Sequence, residues 1–488
     1  MSGRVTVGID VGTTSVKALA VDDAGEVVAR ARVPHHVYAP QVDQLEHDAK
    51  KAWRQGPRRA FAAVTAEIDA TVAGVGVTSM VPSFTAVDRR GIPRLPGLLY
   101  GDVRGRLPAA RPGAGRSPLE VPDPTARPAD QATALLNQST VQLMPEAEGF
   151  LHWAVAGAPG AAGYWPCQAV ATHALSGIAA VDGAVAASLG SLFRRGQWDP
   201  DVLDRAGASP EQMPLVAQMG APAGTLPGTD TIITGGTVDA FCDQIVAGAD
   251  RPGDVLAIFG ATLIVWVVTD TWVEVPGLGT LPHTTPDRIM IGGPSNAGAL
   301  FVDWARALLG GRATSRRRPV ETPERPGDPE RVPVWLPYLR GERTPFHDPA
   351  LRASVHGLDI TQGPDALERS AYEASGFVIR RLLERSGVEG RRVVASGGGT
   401  NSAAWMAAVA DTTGLPVETV AVSEGAALGA AYMARMGAGL ESGLDGAGRW
   451  ARTGRRVEPD PQWSKAATRR YEIFEELGPG TLPGGLGS

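Results

Sequence analysis

Cysteine is almost missing from this chain: 488 residues hold two, Cys167 and Cys242. Two thiols so widely separated make neither a disulfide framework nor a zinc-binding spacing. Cys242 is expected to be a small buried thiol rather than a reactive one. Long apolar runs are missing too. The longest, at residues 255–268, is interrupted by Gly260 and Thr262 and falls short of the roughly 20 residues a bilayer requires. Positive charge is not in excess, the formal net charge being −6, so nothing electrostatic calls for nucleic acid or an anionic membrane as a partner. No charged-then-apolar leader separates Met1 from the first apolar segment, and a cytoplasmic protein is expected. What the chain does have is length and an ordinary apolar fraction, 43%, enough for a sizeable core shared between two large domains.

Apolar segments at 5–10, 16–21 and 27–33, the last two joined by Asp22-Asp23-Ala24-Gly25, alternate like the strands of an antiparallel meander. Residues 53–68 carry helical periodicity, 72–78 read as a buried strand, and 168–175 read as a short helix with Gly177 as its C-cap. Residues 105–131, rich in Pro, Arg and Ala, read as a surface excursion. A second meander-like unit starts near Gly253, where apolar strands at 255–259 and 263–269 flank Gly260-Ala261-Thr262. It repeats the strand–turn–strand arrangement of the opening, and two related halves of this kind predict a cleft between them. Residues 311–333 read as a mobile loop in which Arg316-Arg317-Arg318 is a solvated charge run. Helices are expected at 366–386, 402–413 and 424–436, a strand at 392–395, and a frayed Gly/Pro-rich end.

Chemistry concentrates first in residues 7–22, VGIDVGTTSVKALAVD. Gly12, Thr13 and Thr14 form the tip of a hairpin and offer bare backbone N–H and hydroxyl groups to an anion. Asp10 beside the tip can orient a hydrated Mg²⁺, and Lys17 can reach the same phosphates. Together they argue for a nucleotide phosphate held by a hairpin instead of by the helix N-terminus of a Walker loop; the plainer reading is a Gly-turn hairpin with surface threonines. Gly397, Gly398 and Gly399, between a strand and a helix, remove every Cβ and let backbone approach a planar or phosphorylated ligand, the alternative being a flexible turn. In Gly235-Gly236-Thr237-Val238-Asp239-Ala240 an aspartate follows a Gly turn at the end of a strand. Asp239 either accepts the proton of an attacking hydroxyl or caps the helix expected at 240–247. Phosphoryl transfer asks little of such a base beyond position, and the residues alone leave both readings open.

Residues 335–358, WLPYLRGERTPFHDPALRASVHGL, add context. Through Leu336, Pro337, Tyr338, Gly341, Glu342, Arg343, Thr344 and Pro345 the segment resembles the Leu-Pro-Tyr-x-x-Gly-Glu-Arg-Thr-Pro stretch of the FGGY carbohydrate kinases, a branch of the actin/hexokinase/Hsp70-like superfamily. The resemblance runs from about Arg4 to Gly437 and includes the opening hairpin, the Gly-Gly-x-x-Asp site, SGGGTNSAAW and EGAALGAAYMA. A filament-forming or chaperone relative of actin would share the hairpins but not Tyr338 to Pro345.

The resemblance implies an α/β fold of two actin-like (ribonuclease H-like) domains, each a mixed sheet with an antiparallel meander flanked by helices. The domains would be a sugar-binding N-terminal one at 1–250, a nucleotide-binding C-terminal one at 251–440, and a C-terminal helix and tail at 441–488. They would close over the sugar and exclude water. ATP and Mg²⁺ are the implied cofactors and a small-molecule sugar or polyol the implied partner; a homodimer is common in the family. Residue by residue, Asp239 matches the catalytic base. Gly12, Thr13 and Thr14 match the first phosphate hairpin, Lys17 a basic position, and Asp10 the acidic residue near the metal. Gly260 and Thr262 match the second phosphate hairpin. Gly397, Gly398 and Gly399 match the glycines beside the adenosine, with Ser402 at a nearby polar position.

The chain leaves the family's pattern mostly around the sugar. Ser79-Met80-Val81-Pro82 stands where xylulokinases carry Gln-Met-His-Gly, so a hydrogen-bonding histidine is replaced by Val81. A buried hydroxyl deprived of its partner costs roughly 1–3 kcal/mol. The family's Trp-x-Asp-x-Arg is Tyr100-Gly101-Asp102-Val103-Arg104, its Gly-Thr-Ser turn is Gly260-Ala261-Thr262, and Ala407 stands where a Gln is common. The sugar is expected to meet Met80, Val81, Asp102, Arg104 and Asp239. The expected reaction is ATP-dependent phosphorylation of a ketopentose hydroxyl, D-xylulose to xylulose 5-phosphate. Ribulose, erythritol or a glycerol-like alditol is the alternative acceptor. A catalytically weakened sugar- or nucleotide-binding paralogue is disfavoured by Asp10, Lys17 and Asp239, and favoured by Ala261 and Val81.

Overall fold

β-branched and small apolar residues dominate the opening of the chain, and they form three antiparallel strands, Arg4–Val11, Ser15–Val21 and Val27–Pro34. The computed structural model describes residues 3–479 except 42, 101, 106–145, 286, 311–324 and 326. It divides into two compact units, residues 1–246 with 424–450, and residues 247–423 with 451–488.

In the first unit, Thr71–Ser79 runs parallel to Arg4–Val11, followed by Ile232–Thr234 in parallel and Pro222–Thr225 at the antiparallel edge. The short strand Thr237–Val238 also pairs with Thr71–Ser79. The central strands are buried along most of their length, which is why apolar residues and glycine fill most of their positions. One covering helix is Gly425–Gly437, built from glycine, alanine and a few larger residues. It lies so near the sheet that a methyl group on Gly8 or Gly76 would overlap the carbonyls of Ala427 or Ala430, and one on Gly74 would sit 2.7 Å from that of Ala434.

The second unit repeats the arrangement. Asp254–Phe259, Leu263–Thr269 and Ile289–Ser295 form the antiparallel meander, Arg392–Ser396 and Val417–Val420 continue it in parallel, and Thr453–Val457 closes it antiparallel. Its core is aromatic: Phe259 meets Trp405 edge-on at 5.1 Å between ring centroids, and Tyr372 stacks on Trp405 at 5.8 Å. The helices Pro364–Ser386 and Ala403–Thr413 carry Tyr372 and Trp405, and Phe259 ends the strand Asp254–Phe259. Asp254, fully buried at the start of its strand, accepts from Arg391 and Arg392, and Arg392 also pairs with Glu418 on the neighbouring strand.

Several sequence expectations change. The helix expected at 53–68 is two pieces, a π-wound turn Lys50–Gln55 and the α-helix Gly56–Thr65. Pro57 has no N–H for the carbonyl four residues back, and just before it the turn widens so that the Gly56 N–H reaches the Lys51 carbonyl. Helix Gly425–Gly437 packs in the first unit, so the compact units interleave along the chain, whereas limits at 250 and 440 follow it continuously. Gly177 caps Cys167–Ser176 in the left-handed conformation, with φ 82°. The excursion at 105–131, the arginines 316–318 and most of the chain end lie outside the described residues; within 311–333 a 3₁₀ turn, Pro329–Arg331, is described. Among the described residues no helix is long and apolar enough to cross a membrane.

Gly76→Ala is expected to destabilise the first unit by about 1–3 kcal/mol through overpacking against backbone that has nowhere to go. Gly448→Ala in the same unit, where an added methyl meets nothing within 4 Å, is expected to leave stability nearly unchanged. Calorimetric unfolding of the two variants checks the pair.

Candidate active site

Strand register sets up the chemistry of the first unit. Asp10 and Lys17 are cross-strand partners on either side of the hairpin tip, and their side chains meet at 3.4 Å. Burial raises the Asp10 carboxyl above its ordinary value, against the pull of Lys17. Burial works to lower Lys17, but Asp10, Asp243 and Glu424 together outweigh it and hold the ammonium above its ordinary value. At the tip, the Gly12 N–H closes onto the Ser15 carbonyl at 3.1 Å. The Thr14 carbonyl accepts from the His35 N–H at 3.0 Å, and the Thr13 carbonyl lies 2.8 Å from Nε2 of His47. The amides of Thr13 and Thr14 have no acceptor among the described residues, which leaves two N–H groups for an anion.

Asp239 is the first residue of the helix Asp239–Ala247 and is half-buried. Its Oδ1 accepts from the Ala240 N–H at 2.7 Å, a bond one residue along rather than the two or three of an N-cap. Burial, reinforced by the like charge of Asp10, pushes its carboxyl up to about 6, within the range of a working general base. The turn before it is held from behind by Gln168, fully buried on Cys167–Ser176. The Gln168 amide donates to the carbonyls of Ser79 at 2.9 Å and Thr237 at 3.3 Å. One side chain thus fastens the strand leading to Met80 and the strand leading to Asp239.

The expected sugar residues divide into two kinds. Met80 and Val81 are buried in apolar clusters, where Val81 packs with Phe84 and Leu98. Asp102 is fully buried, and its oxygens accept from the Leu45 N–H at 2.7 Å, from the Arg104 N–H at 2.8 Å and from the Arg104 guanidinium at 2.7 and 3.0 Å. Arg104 is paired on its other side with Glu46 at 2.7 Å. Asp102 therefore acts as an orienting anchor for Arg104. The Tyr100 hydroxyl lies 3.3 Å from that of Thr13, bringing the aromatic ring against the hairpin tip.

In the second unit the hairpin tip Gly260-Ala261-Thr262 is half-buried, and the carbonyls of Gly260 and Ala261 accept the first N–H groups of the helix Ala299–Leu308 at 2.9 and 3.0 Å. Gly397 has φ 88°, and a methyl there would lie 2.8 Å from the Phe259 carbonyl; one on Gly399 would lie 2.7 Å from Phe259 and Trp405. Around Gly398 there is open space. Ser402 caps the helix Ala403–Thr413 through the Trp405 N–H at 3.2 Å, so its hydroxyl has a structural duty. Glu342, buried in the Leu-Pro-Tyr segment, accepts from Ser295, from the Asn296 N–H and from the Arg343 N–H at 2.7, 2.9 and 2.7 Å. It fastens the loop leading into the helix that receives the hairpin carbonyls.

Sequence reasoning passed over His47, Glu46, Gln168 and the duty of Glu342. Glu46 and His47 lie on a two-residue strand without periodicity and Gln168 on a helix whose pattern says nothing of its role, and only their tertiary partners reveal them. Cys167 and Cys242 are both free and buried, and burial raises both thiols.

The mixed sheet is duplicated in two units with a hairpin at the head of each meander, and on this frame the chain is a phosphotransferase that takes an alcohol group as acceptor. Residues 5–104 match the N-terminal domain and residues 255–438 the C-terminal domain of the FGGY family of carbohydrate kinases, and the chain belongs to that family. Its phosphate donor is ATP and its acceptor a sugar or polyol. The chain is 24% identical to the xylulose kinase of Escherichia coli, covering 98% of this chain and 99% of that one. It is 28% identical to a glycerol kinase of Cereibacter sphaeroides, covering 94% and 95%. The crystal structure of a xylulose kinase from Brucella ovis shares the fold, with a TM-score of 0.73 at 23% identity over 97% and 99% of the two chains.

If Asp239 is the base, kcat/KM is expected to fall roughly tenfold per pH unit below about 6 as its carboxylate takes a proton. Lys17→Met removes the cation that lowers Asp239 and is expected to move that limb to higher pH. A pH–rate profile of the two proteins checks both.

Proposed function

We propose that this protein transfers the γ-phosphoryl group of ATP to a hydroxyl of a ketopentose, with D-xylulose as the acceptor. The observation that carries the reading is Asp239: a carboxylate raised toward 6 at a helix start, in the electrostatic environment of Asp10 and Lys17 and tied through Gln168 to the Met80 segment. In this reading Asp239 accepts the proton of the acceptor hydroxyl. Lys17 and the free amides of Thr13 and Thr14 hold the phosphate. Gly397, Gly398 and Gly399 offer backbone to the nucleoside, and the open space at Gly398 suits close approach of a ligand. Transfer of this kind rests on positioning and charge stabilisation more than on covalent chemistry.

Mg²⁺ fits the donors present. No group of three or more His, Cys, Asp or Glu side chains among the described residues could cage a metal, and Mg²⁺ is ordinarily held by one or two carboxylates together with water and substrate phosphates. Asp10 is the carboxylate that would hold it, and the bound ion would neutralise charge on the phosphates.

A second reading, an alditol such as glycerol or erythritol as acceptor, is favoured by Val81, which offers a sugar hydroxyl no hydrogen bond, and by the similarity to a glycerol kinase. A coupled ADP-release assay over ketoses, aldoses and alditols tests both. The highest kcat/KM is expected with xylulose, and Asp239→Asn is expected to lower it roughly 10²–10⁴-fold. No acceptor-stimulated turnover would sink the kinase reading, and turnover surviving in the variant would remove Asp239 from the role of base.

A further inference from the structure

His47 is fully buried on the two-residue strand Glu46–His47, and its ring touches two partners of different kinds. Nε1 of Trp53, itself fully buried, lies 2.9 Å from Nδ1 of His47. Indole nitrogen only donates, so Nδ1 must be the acceptor and the ring proton sits on Nε2. That Nε2–H points at the Thr13 carbonyl, 2.8 Å away at the hairpin tip. Burial, with His35 beside it, lowers the imidazole to about 3, so the ring stays neutral and keeps one donor and one acceptor across the physiological range.

A trans peptide is planar, and its C=O and N–H point in opposite directions. Holding the Thr13 carbonyl on the His47 side therefore turns the N–H of Thr14 away from it. Thr14 is exposed, and its N–H has no acceptor among the described residues. The next carbonyl, that of Thr14, is held on the protein side by the His35 N–H. Neither the ring of His47 nor that of Trp53 has room to move: a methyl on Gly97 would already collide with Trp53, and the His47 ring stands edge-on to His35 at 4.5 Å between centroids.

We propose that His47, locked by Trp53, is a positioning residue for the phosphate hairpin: its Nε2–H pins the Thr13 carbonyl and so aims the Thr14 amide at a phosphate of the nucleotide. The proposal rests on the reading that this hairpin binds phosphate. It makes a chemical demand on position 47, one hydrogen-bond acceptor and one donor diverging from the head of the side chain. Glutamine meets that demand and leucine does not.

The test combines kinetics, nucleotide binding and NMR on the full chain. His47→Leu is expected to raise the KM for ATP roughly tenfold, about 1.4 kcal/mol, with the KM for the acceptor within twofold. His47→Gln is expected to recover most of that loss. Long-range ¹⁵N–¹H correlation spectra of the wild-type protein should show the Nε2–H tautomer. The proposal is overturned by a Nδ1–H tautomer, by His47→Gln behaving like His47→Leu, or by both KM values rising together in step with a fall in Tm. If the wild-type protein turns over no acceptor, direct titration with ATP replaces the kinetics. Tenfold weaker binding in His47→Leu, recovered in His47→Gln, then supports the hairpin role while the kinase reading fails, and equal binding in all three overturns it.

Discussion

A helix of alanine and glycine can settle onto a sheet at backbone distance only where the strands beneath it carry no Cβ, and in the first unit both conditions meet. Gly425–Gly437 lies over Gly8, Gly74 and Gly76, on the two central strands. Close contact between two backbones leaves little freedom for either strand to shift, because interiors packed at this density do not deform smoothly. The strands so fixed are the ones that matter. Asp10 stands opposite Thr78 and Val11 opposite Ser79 in their parallel register. The hairpin that ends one strand and the segment that ends the other are consequently set in place together.

Polar side chains extend that order outward. Asp102 has its oxygens committed to Leu45 and Arg104, Arg104 is held from the far side by Glu46, and Gln168 bridges two strand ends. Buried ion pairs of this type add little net stability, because desolvation offsets their attraction, but removing one partner strands the other at about 3–5 kcal/mol. Their effect is geometric: each fixes a rotamer or a backbone carbonyl. Glu342 does the same in the second unit with three donors on one buried carboxylate.

Much of this was legible in the sequence wherever the signal is local. Both meanders announce themselves by alternation around a Gly/Thr tip. Asp239 follows a Gly turn, and Gly397 to Gly399 stand between a strand and a helix. What escaped depends on partners far along the chain. Nothing near Ser402 in sequence settles its duty as a helix cap, and only its bond from the Trp405 N–H shows it. Asp102 and Arg104 read as two polar sugar contacts, whereas in the fold one holds the other. Gly425–Gly437 lies among second-half residues in sequence, and its place with the first unit follows from glycines some 350–430 positions earlier. The π-wound turn before Pro57 is invisible to a period of 3.6 residues.

The bare amides at the hairpin tip have a further consequence. On the proposed reading, what the first hairpin offers a phosphate is partly main chain, the amides of Thr13 and Thr14. Every residue except proline carries the same N–H, so few single codon changes can delete such a contact. The residues proposed to meet the acceptor, Met80, Val81 and Arg104 among them, would act instead through side chains, each replaceable by one mutation. On that reading the acceptor changes by small steps, while the two backbone contacts to the phosphate donor survive most substitutions at Thr13 and Thr14 themselves, though not the loss of Lys17 or His47.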